Sequence, residues 1–158
     1  MTGLNNYGQL GLGDTKKRTI FTSVPGLDGK RISAVGGGCH HSVCLATDGT
    51  LYSWGRGDSG QLGNVNNPST GFFRDTPEIV DYSGTSGATA IAIGSNHSIA
   101  LRADGNLFSW GYGDMLALGN GKESDELFPK NVNPKKLKGM RVQQIGAGGQ
   151  HSVILASD

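Results

Sequence analysis

One pattern written three times constrains this chain more than any single residue does. The string "GLNNYGQLGLGD" (Gly3 to Asp14) returns as "GRGDSGQLGN" (Gly55 to Asn64) and, altered, as "GYGDMLALGNG" (Gly111 to Gly121). The glycines opening these copies stand 52 and 56 positions apart. A second string keeps the same interval: "GCHHSVCLATDGTLYSWG", "GSNHSIALRADGNLFSWG" and "GGQHSVILASD", with His41, His97 and His151 in phase. Units of about fifty residues, built from short strands and glycine turns, mark a propeller or a similar array.

Within each unit the local signals are those of strands. The runs "RISAV", "HSVCLA", "TLYSWG" and "PEIVDY" carry β-branched or aromatic residues between Gly, Asp-Gly or Pro punctuation. Asp48-Gly49 and Asp104-Gly105 separate two such runs and predict hairpins with type I′ turns. Four strands per unit is the count of a propeller blade, and no segment shows ten residues of helical periodicity. The expected fold is all-β: a β-propeller of four-stranded blades. Residues 1–30 read as the later half of one blade, 31–86 and 87–138 as full units, and 139–158 as the first half of another. This is about three blades' worth of a larger ring, whose open edges call for a cover. One expectation is a homodimer in which two copies complete each other's split blades into a six-bladed ring.

Recurring residues read as scaffold. Glycine supplies 27 of 158 residues, far above the ordinary share, and Gly38, Gly94 and Gly148 each precede the repeated histidine by three positions. Trp54 and Trp110 follow the second strand of each hairpin and are expected to fill the wedge between blades. Residues that vary between copies are where a unique function can sit, and the position before the repeated histidine is His40, Asn96 and Gln150 in turn. Of these only His40 carries an ionisable side chain.

Composition removes several classes. The formal charge of +1 excludes a global attraction to nucleic acid or anionic membrane. No apolar run approaches the length of a membrane helix. Cys39 and Cys44, read as lying in one strand-like segment, fit a reducing compartment rather than a disulfide. Cys39, His40, His41 and Cys44 match no zinc spacing, since alternate strand residues face opposite ways, so no metal and no cofactor is expected. The glycine-rich strings lack the Lys-Ser/Thr of a phosphate loop. Nothing points to covalent chemistry.

The unit "HSxxLxxDGxLxSWGxGxxGQLG" (His41 to Gly63) resembles the repeat of the regulator of chromosome condensation family, whose full members form seven-bladed propellers. The likeness covers nearly the whole chain. More narrowly, "GCHHSVC" and "GAGGQHSVIL" are similar to the C-terminal half of the chromatin-bound guanine-nucleotide exchange factor for the small GTPase Ran. That resemblance implies a nuclear protein, otherwise a cytoplasmic one, with Ran as partner and chromatin or histones as further partners of a longer parent. It also implies that His40 and His151 face the GTPase. The family's projecting β-wedge has no match here. Other members belong to ubiquitin ligases and light receptors, so a passive interaction scaffold is the alternative.

Two segments break the repeat and are candidate contacts. "NVNNPSTGFFRD" (Asn64 to Asp75) places Phe72, Phe73 and Arg74 in an expected loop between strands, a composition suited to a protein interface or to folding back over a blade edge. "KNVNPKKLKGMR" gathers Lys130, Lys135, Lys136, Lys138 and Arg141, which suits an acidic partner or a phosphate backbone, or simply a solvated turn. In the third copy, "GQLG" has become Leu116-Ala117-Leu118-Gly119, which keeps the apolar anchor and loses the glutamine.

Overall fold

Strands of five to seven residues with apolar side chains on both faces must be buried on both sides, and here the hairpins at residues 41–56 and 97–111 are sandwiched between their neighbours. The computed structural model describes residues 1–80, 87–132, 137 and 139–157. β1 (Ile32–Gly37), β2 (His41–Ala46), β3 (Leu51–Arg56) and β4 (Phe73–Ile79) form one antiparallel meander. β5 (Ala88–Ile93), β6 (His97–Arg102), β7 (Leu107–Gly111) and β8 (Glu126–Asn131) form a second in the same order. β9 (Arg141–Ala147) and β10 (Ser152–Ser157) begin a third. Residues 1–30 contribute turns and one antiparallel bridge, Gly3 to Arg18, in the register of Gly55 to Arg74 and Gly111 to Glu126. The first strands of successive sheets, β1, β5 and β9, pack side by side, so the sheets are blades of a propeller.

Three local expectations are corrected. The fourth strand begins at Phe73, four residues ahead of "PEIVDY", so Phe73 and Arg74 stand in β4 and not in a loop. Pairing to β3 shifts between Ser53 and Gly55, which lets the strand continue through Pro77. The hairpin turns are not type I′: Gly49 and Gly105 have φ of 84°, while no aspartate before them is left-handed. Gly49 N bonds Ala46 O at 3.0 Å and Ala46 N bonds Thr50 O at 2.9 Å, which is a type I turn closed by a left-handed glycine. Asp48 Oδ1 accepts from Thr50 N at 2.9 Å, and Asp104 Oδ1 from Asn106 N at 3.0 Å, so aspartate selects this turn. Finally, Cys39 is exposed in the turn before β2 while Cys44 is buried within it, and the two are not bonded.

Period-two alternation splits β2 and β3 between two neighbours. Cys44, Ala46, Tyr52 and Trp54 pack toward the N-terminal segment with Met1, Leu27 and Ile32. Leu45 and Leu51 pack toward the second blade against Ala88, Ala100, Phe108 and Trp110. Both indoles are buried and tied across the blade junction: Trp54 Nε1 donates to Gln9 O at 2.8 Å and Trp110 Nε1 to Gln61 O at 3.0 Å. The wedge-filling expectation holds.

The repeated histidine joins one blade to the next. His41 Nε2 lies 3.0 Å from Ser98 Oγ, and His97 Nε2 lies 3.0 Å from Ser152 Oγ. Each serine donates onward, Ser98 to Gln61 O at 3.5 Å and Ser152 to Ala117 O at 2.6 Å. The serine oxygen is therefore the acceptor and the ring carries its proton on Nε2. His41 Nδ1 is buried without a hydrogen-bond partner. Protonating it would leave a charged N–H with no acceptor, and burial, with the charges of His97 and His40, pushes the His41 pKa down to about 3. Burial lowers His97 as well.

The in-phase glycines make room for these rings. A Cβ on Gly94 would lie 2.2 Å from His97 Cε1 and 2.6 Å from Gly148 O, and Gly38 stands in the same relation to His41 and Gly94. Gly37, one position earlier, has nothing within 4 Å of such a Cβ. Gly94→Ala is therefore expected to cost about 2–3 kcal/mol through overpacking, while Gly37→Ala shifts stability by less than about 1 kcal/mol in either direction. Urea unfolding of the two variants checks the contrast, and equal midpoints would refute it.

The neutral histidines also predict a pH dependence. Their folded pKa values are depressed, so the unfolded chain binds more protons below about 6.5, and stability present above that pH is lost as pH falls toward 3. The slope is at most about 1.4 kcal/mol per pH unit for each histidine. Urea midpoints between pH 7.5 and 5.5, above the carboxylate range, should decline in the wild type and decline less in His41→Gln.

Candidate functional site

The turns between the first and second strands of every blade, and those after the third, emerge at one end of the propeller. There the scaffold fixes the backbone and leaves the side chains free to differ. Arg56 N bonds His40 O at 2.8 Å and Tyr112 N bonds Asn96 O at 2.9 Å, so the variable residue of each turn is pinned to the next hairpin's end. Gly55 permits this approach, since a Cβ there would sit 2.4 Å from His40 O.

His40 is half-buried at the first junction. Its ring meets Tyr7 edge-on, with centroids 5.0 Å apart at 71°. The Arg56 guanidinium lies over the Tyr7 ring, 5.2 Å from its centroid. Arg56 Nε and Nη2 grip Asp58 at 2.7 and 2.9 Å, and Asp58 Oδ2 also accepts from Gly71 N at 2.9 Å. Burial pushes the Asp58 carboxyl up, but these donors outweigh it and hold the group below its usual range. The result is a chain of contacts, His40, Tyr7, Arg56 and Asp58, in which each side chain limits the rotamers of the next.

Farther around the same end runs a groove of about 560 Å³ between the turns at Cys39, Ser95-Asn96 and Gly149-Gln150, bounded by Tyr112, Asp114 and His151. Tyr112 Oη donates to Asp114 Oδ2 at 2.9 Å, which holds the phenol proton on and raises its pKa. His151 keeps the pose of His41 and His97 over its glycine, since a Cβ on Gly148 would lie 2.3 Å from its Cε1. Unlike them it is exposed, and it lines the groove together with His97. His40 and His151 thus share one end of the molecule, in different junctions. Among the described residues no group of three or more His, Cys, Asp or Glu could hold a metal.

The aromatic pair divides. Phe72 folds back, close to Gly57 and Leu62, with Arg74 stacked on its ring at 4.6 Å, and Arg74 Nε approaches Glu78 Oε1 at 3.0 Å as an ion pair without hydrogen-bond alignment. Phe73 remains 39% exposed. Lys135, Lys136 and Lys138 lie outside the described residues, while Lys130 stands exposed near the end of β8.

Tyr7, Arg56, Asp58, Tyr112 and Asp114 were missed as candidates. The signal was present: Arg56 and Tyr112 occupy one position of the repeated turn, and Tyr7, Ser59 and Met115 another, so these differ between copies in the same way as His40, Asn96 and Gln150.

Comparison with known proteins agrees with this geometry. The model of the regulator of chromosome condensation (RCC1) repeat matches residues 1–45, 48–101 and 104–155, so each sequence repeat runs from the third strand of one blade into the second of the next. The chain is 33% identical over 158 residues to the human regulator of chromosome condensation, covering 99% of this chain and 36% of that protein. It is 34% identical over 158 residues to the human E3 ubiquitin-protein ligase HERC2, again over 99% of this chain but only 3% of the ligase. The structure of Prp20p from Saccharomyces cerevisiae superposes with a TM-score of 0.82 at 29% identity, over 99% of this chain and 39% of Prp20p. The chain thus spans little more than a third of the regulator and of Prp20p. With family repeats matched along nearly its whole length and folded into propeller blades, the chain belongs to the regulator of chromosome condensation (RCC1) repeat family.

Proposed function

We propose that this propeller segment is part of a nuclear, chromatin-associated guanine-nucleotide exchange factor for the small GTPase Ran, and that its turn-bearing end contacts the GTPase. The observation that carries this reading is the placement of His40 and His151 at one end of a rigid array, each in a junction whose other residues are unique to it. Likeness to the regulator of chromosome condensation supports it, as does likeness to Prp20p, which binds Gsp1p and histones.

The activity needs no bond to be made or broken. A GTPase that binds this end more tightly without nucleotide releases nucleotide faster when bound, and the coupling is reciprocal. Rigid hairpins suit that task, because ordering side chains in advance lowers the cost of engaging a broad partner surface. His40, held edge-on by Tyr7, presents a ring that can donate or accept, and His151 presents a second.

A second reading, a non-catalytic interaction domain of a ubiquitin ligase or other multidomain protein, is favoured by the 34% identity to HERC2 along the whole segment. Release of a fluorescent guanine nucleotide from Ran separates the two. His40→Ala should slow chain-stimulated release about tenfold or more, comparable to loss of a central interface contact, without changing the thermal midpoint. Lys30→Ala, far from the turn-bearing end in the repeat, should leave release unchanged. Release that the chain does not accelerate, together with no binding to nucleotide-free Ran, would sink the exchange reading and leave the scaffold.

A further inference from the structure

At the turn-bearing end the first two junctions are built on one backbone frame and filled differently. Arg56 N bonds His40 O at the first, and Tyr112 N bonds Asn96 O at the second. Gln9 Oε1 accepts from Tyr7 N at 2.8 Å at the first, and Gln61 Oε1 accepts from Ser59 N at 2.9 Å at the second. In both, an aspartate two positions on restrains the long side chain at the end of the third strand: Asp58 holds Arg56 at 2.7 Å and Asp114 holds Tyr112 at 2.9 Å. The repeat therefore puts Ser59 where the first junction has Tyr7, Asn96 where it has His40, and Tyr112 where it has Arg56.

The side chains decide what this frame contains. At the first junction the Tyr7 ring occupies it, edge-on to His40 with centroids 5.0 Å apart and beneath Arg56 at 5.2 Å. Ser59 has no ring to put there, and the second junction holds a cleft of about 280 Å³ lined by Arg56, Ser59, Gln61, Asn96 and Tyr112. That is ample for one aromatic ring, since a cavity of about 150 Å³ accommodates benzene. The blades on either side of it, β1 to β4 and β5 to β8, are both whole four-stranded sheets.

Charge does not select an ion for this cleft. Asp58 neutralises Arg56 through two bonds, and Asp114 lies beside Tyr112, so an incoming carboxylate finds no uncompensated cation. An incoming cation would meet the Arg56 guanidinium. A wholly apolar group is disfavoured as well, because it would strip water from Ser59, Gln61 and Asn96 without returning a hydrogen bond. An uncharged ring bearing a hydroxyl meets both conditions.

We infer that this cleft is a receptor for a tyrosine side chain presented by the protein that docks on the turn-bearing end, its ring taking the place that Tyr7 takes at the first junction. The face of the ring packs on Tyr112, its edge meets Asn96, and its hydroxyl serves the polar lining. The inference rests on this end meeting a partner protein, which both readings above require, and it does not need that protein to be Ran.

The probe is N-acetyl-tyrosinamide. Titrated to about 30 mM into the isotopically labelled chain, it should give saturable amide shifts centred on Ser59, Asn96 and Tyr112, with a Kd on the order of 1–10 mM as befits a single ring. N-acetyl-leucinamide and acetate should give no shifts localised there. Ser59→Tyr supplies the missing ring from the chain itself, and should weaken probe binding at least about tenfold while the thermal midpoint stays level or rises. Should that variant not fold, Tyr112→Ala, which removes the stacking wall from an exposed position, decides by the same tenfold criterion. Absence of localised shifts at the highest concentration, an equal response to leucinamide or acetate, or unaltered binding by the folded Ser59→Tyr chain overturns the inference. A chain that binds the probe but neither binds nucleotide-free Ran nor speeds its exchange keeps this inference and loses the exchange reading, so the two failures are told apart.

Discussion

The histidine-to-serine bond across each blade junction is the contact on which the rest depends. It is buried between His41 and Ser98 and partly buried between His97 and Ser152, it links residues more than fifty positions apart, and it works only with a neutral ring. A glycine three residues upstream must lack a side chain for that ring to lie flat, and the same glycine lets the next blade's carbonyl close in. One bond therefore sets the spacing between inner strands, and that spacing decides where the turns of neighbouring blades meet. Such a bond is modest in net energy, about 1 kcal/mol. Its repetition at successive junctions, with unsatisfied polar atoms as the alternative, makes it a device of specificity more than of strength.

This division of labour explains how much of the molecule could be read from its sequence. The repeats gave the blades, because glycine, histidine, serine and tryptophan recur for stereochemical reasons that act identically each time. What the repeats could not give is anything decided by a single copy's surroundings. The start of β4 was misplaced because "FRDTPEI" contains a proline, which argues against a strand until the register shift between Ser53 and Gly55 accommodates it. The turn type was misread because Asp-Gly satisfies both the two-residue and the three-residue hairpin, and only the bonds of Ala46 and Thr50 choose between them.

The candidate site was legible in part for the same reason. His40 stood out as an ionisable residue among amides at equivalent positions. Tyr7 and Arg56 did not, because their sequence distances from His40 hide a meeting that the propeller arranges across a junction. A rim built this way is economical: the scaffold supplies a fixed backbone, and substitution at two or three turn positions per blade changes the surface without disturbing a buried contact.

The third copy of the turn shows how far that tolerance extends. In the earlier copies the glutamine side chain closes the turn, Gln9 Oε1 accepting from Tyr7 N at 2.8 Å and Gln61 Oε1 from Ser59 N at 2.9 Å. Ala117 has no such group, and Met115 N turns to Asp114 Oδ1 at 3.1 Å instead. The chain there is left-handed at Met115 (φ 62°) and at Leu116 (φ 60°), where the second copy has Gly60 at 79°. Two non-glycine residues in that region cost on the order of 1 kcal/mol each or more. The backbone nonetheless returns Leu118 to the core and Ala117 O to the junction, where it accepts Ser152. What the junction requires of this turn is thus a carbonyl and an apolar anchor. The glutamine shared by the first two copies is a side chain the fold can lose.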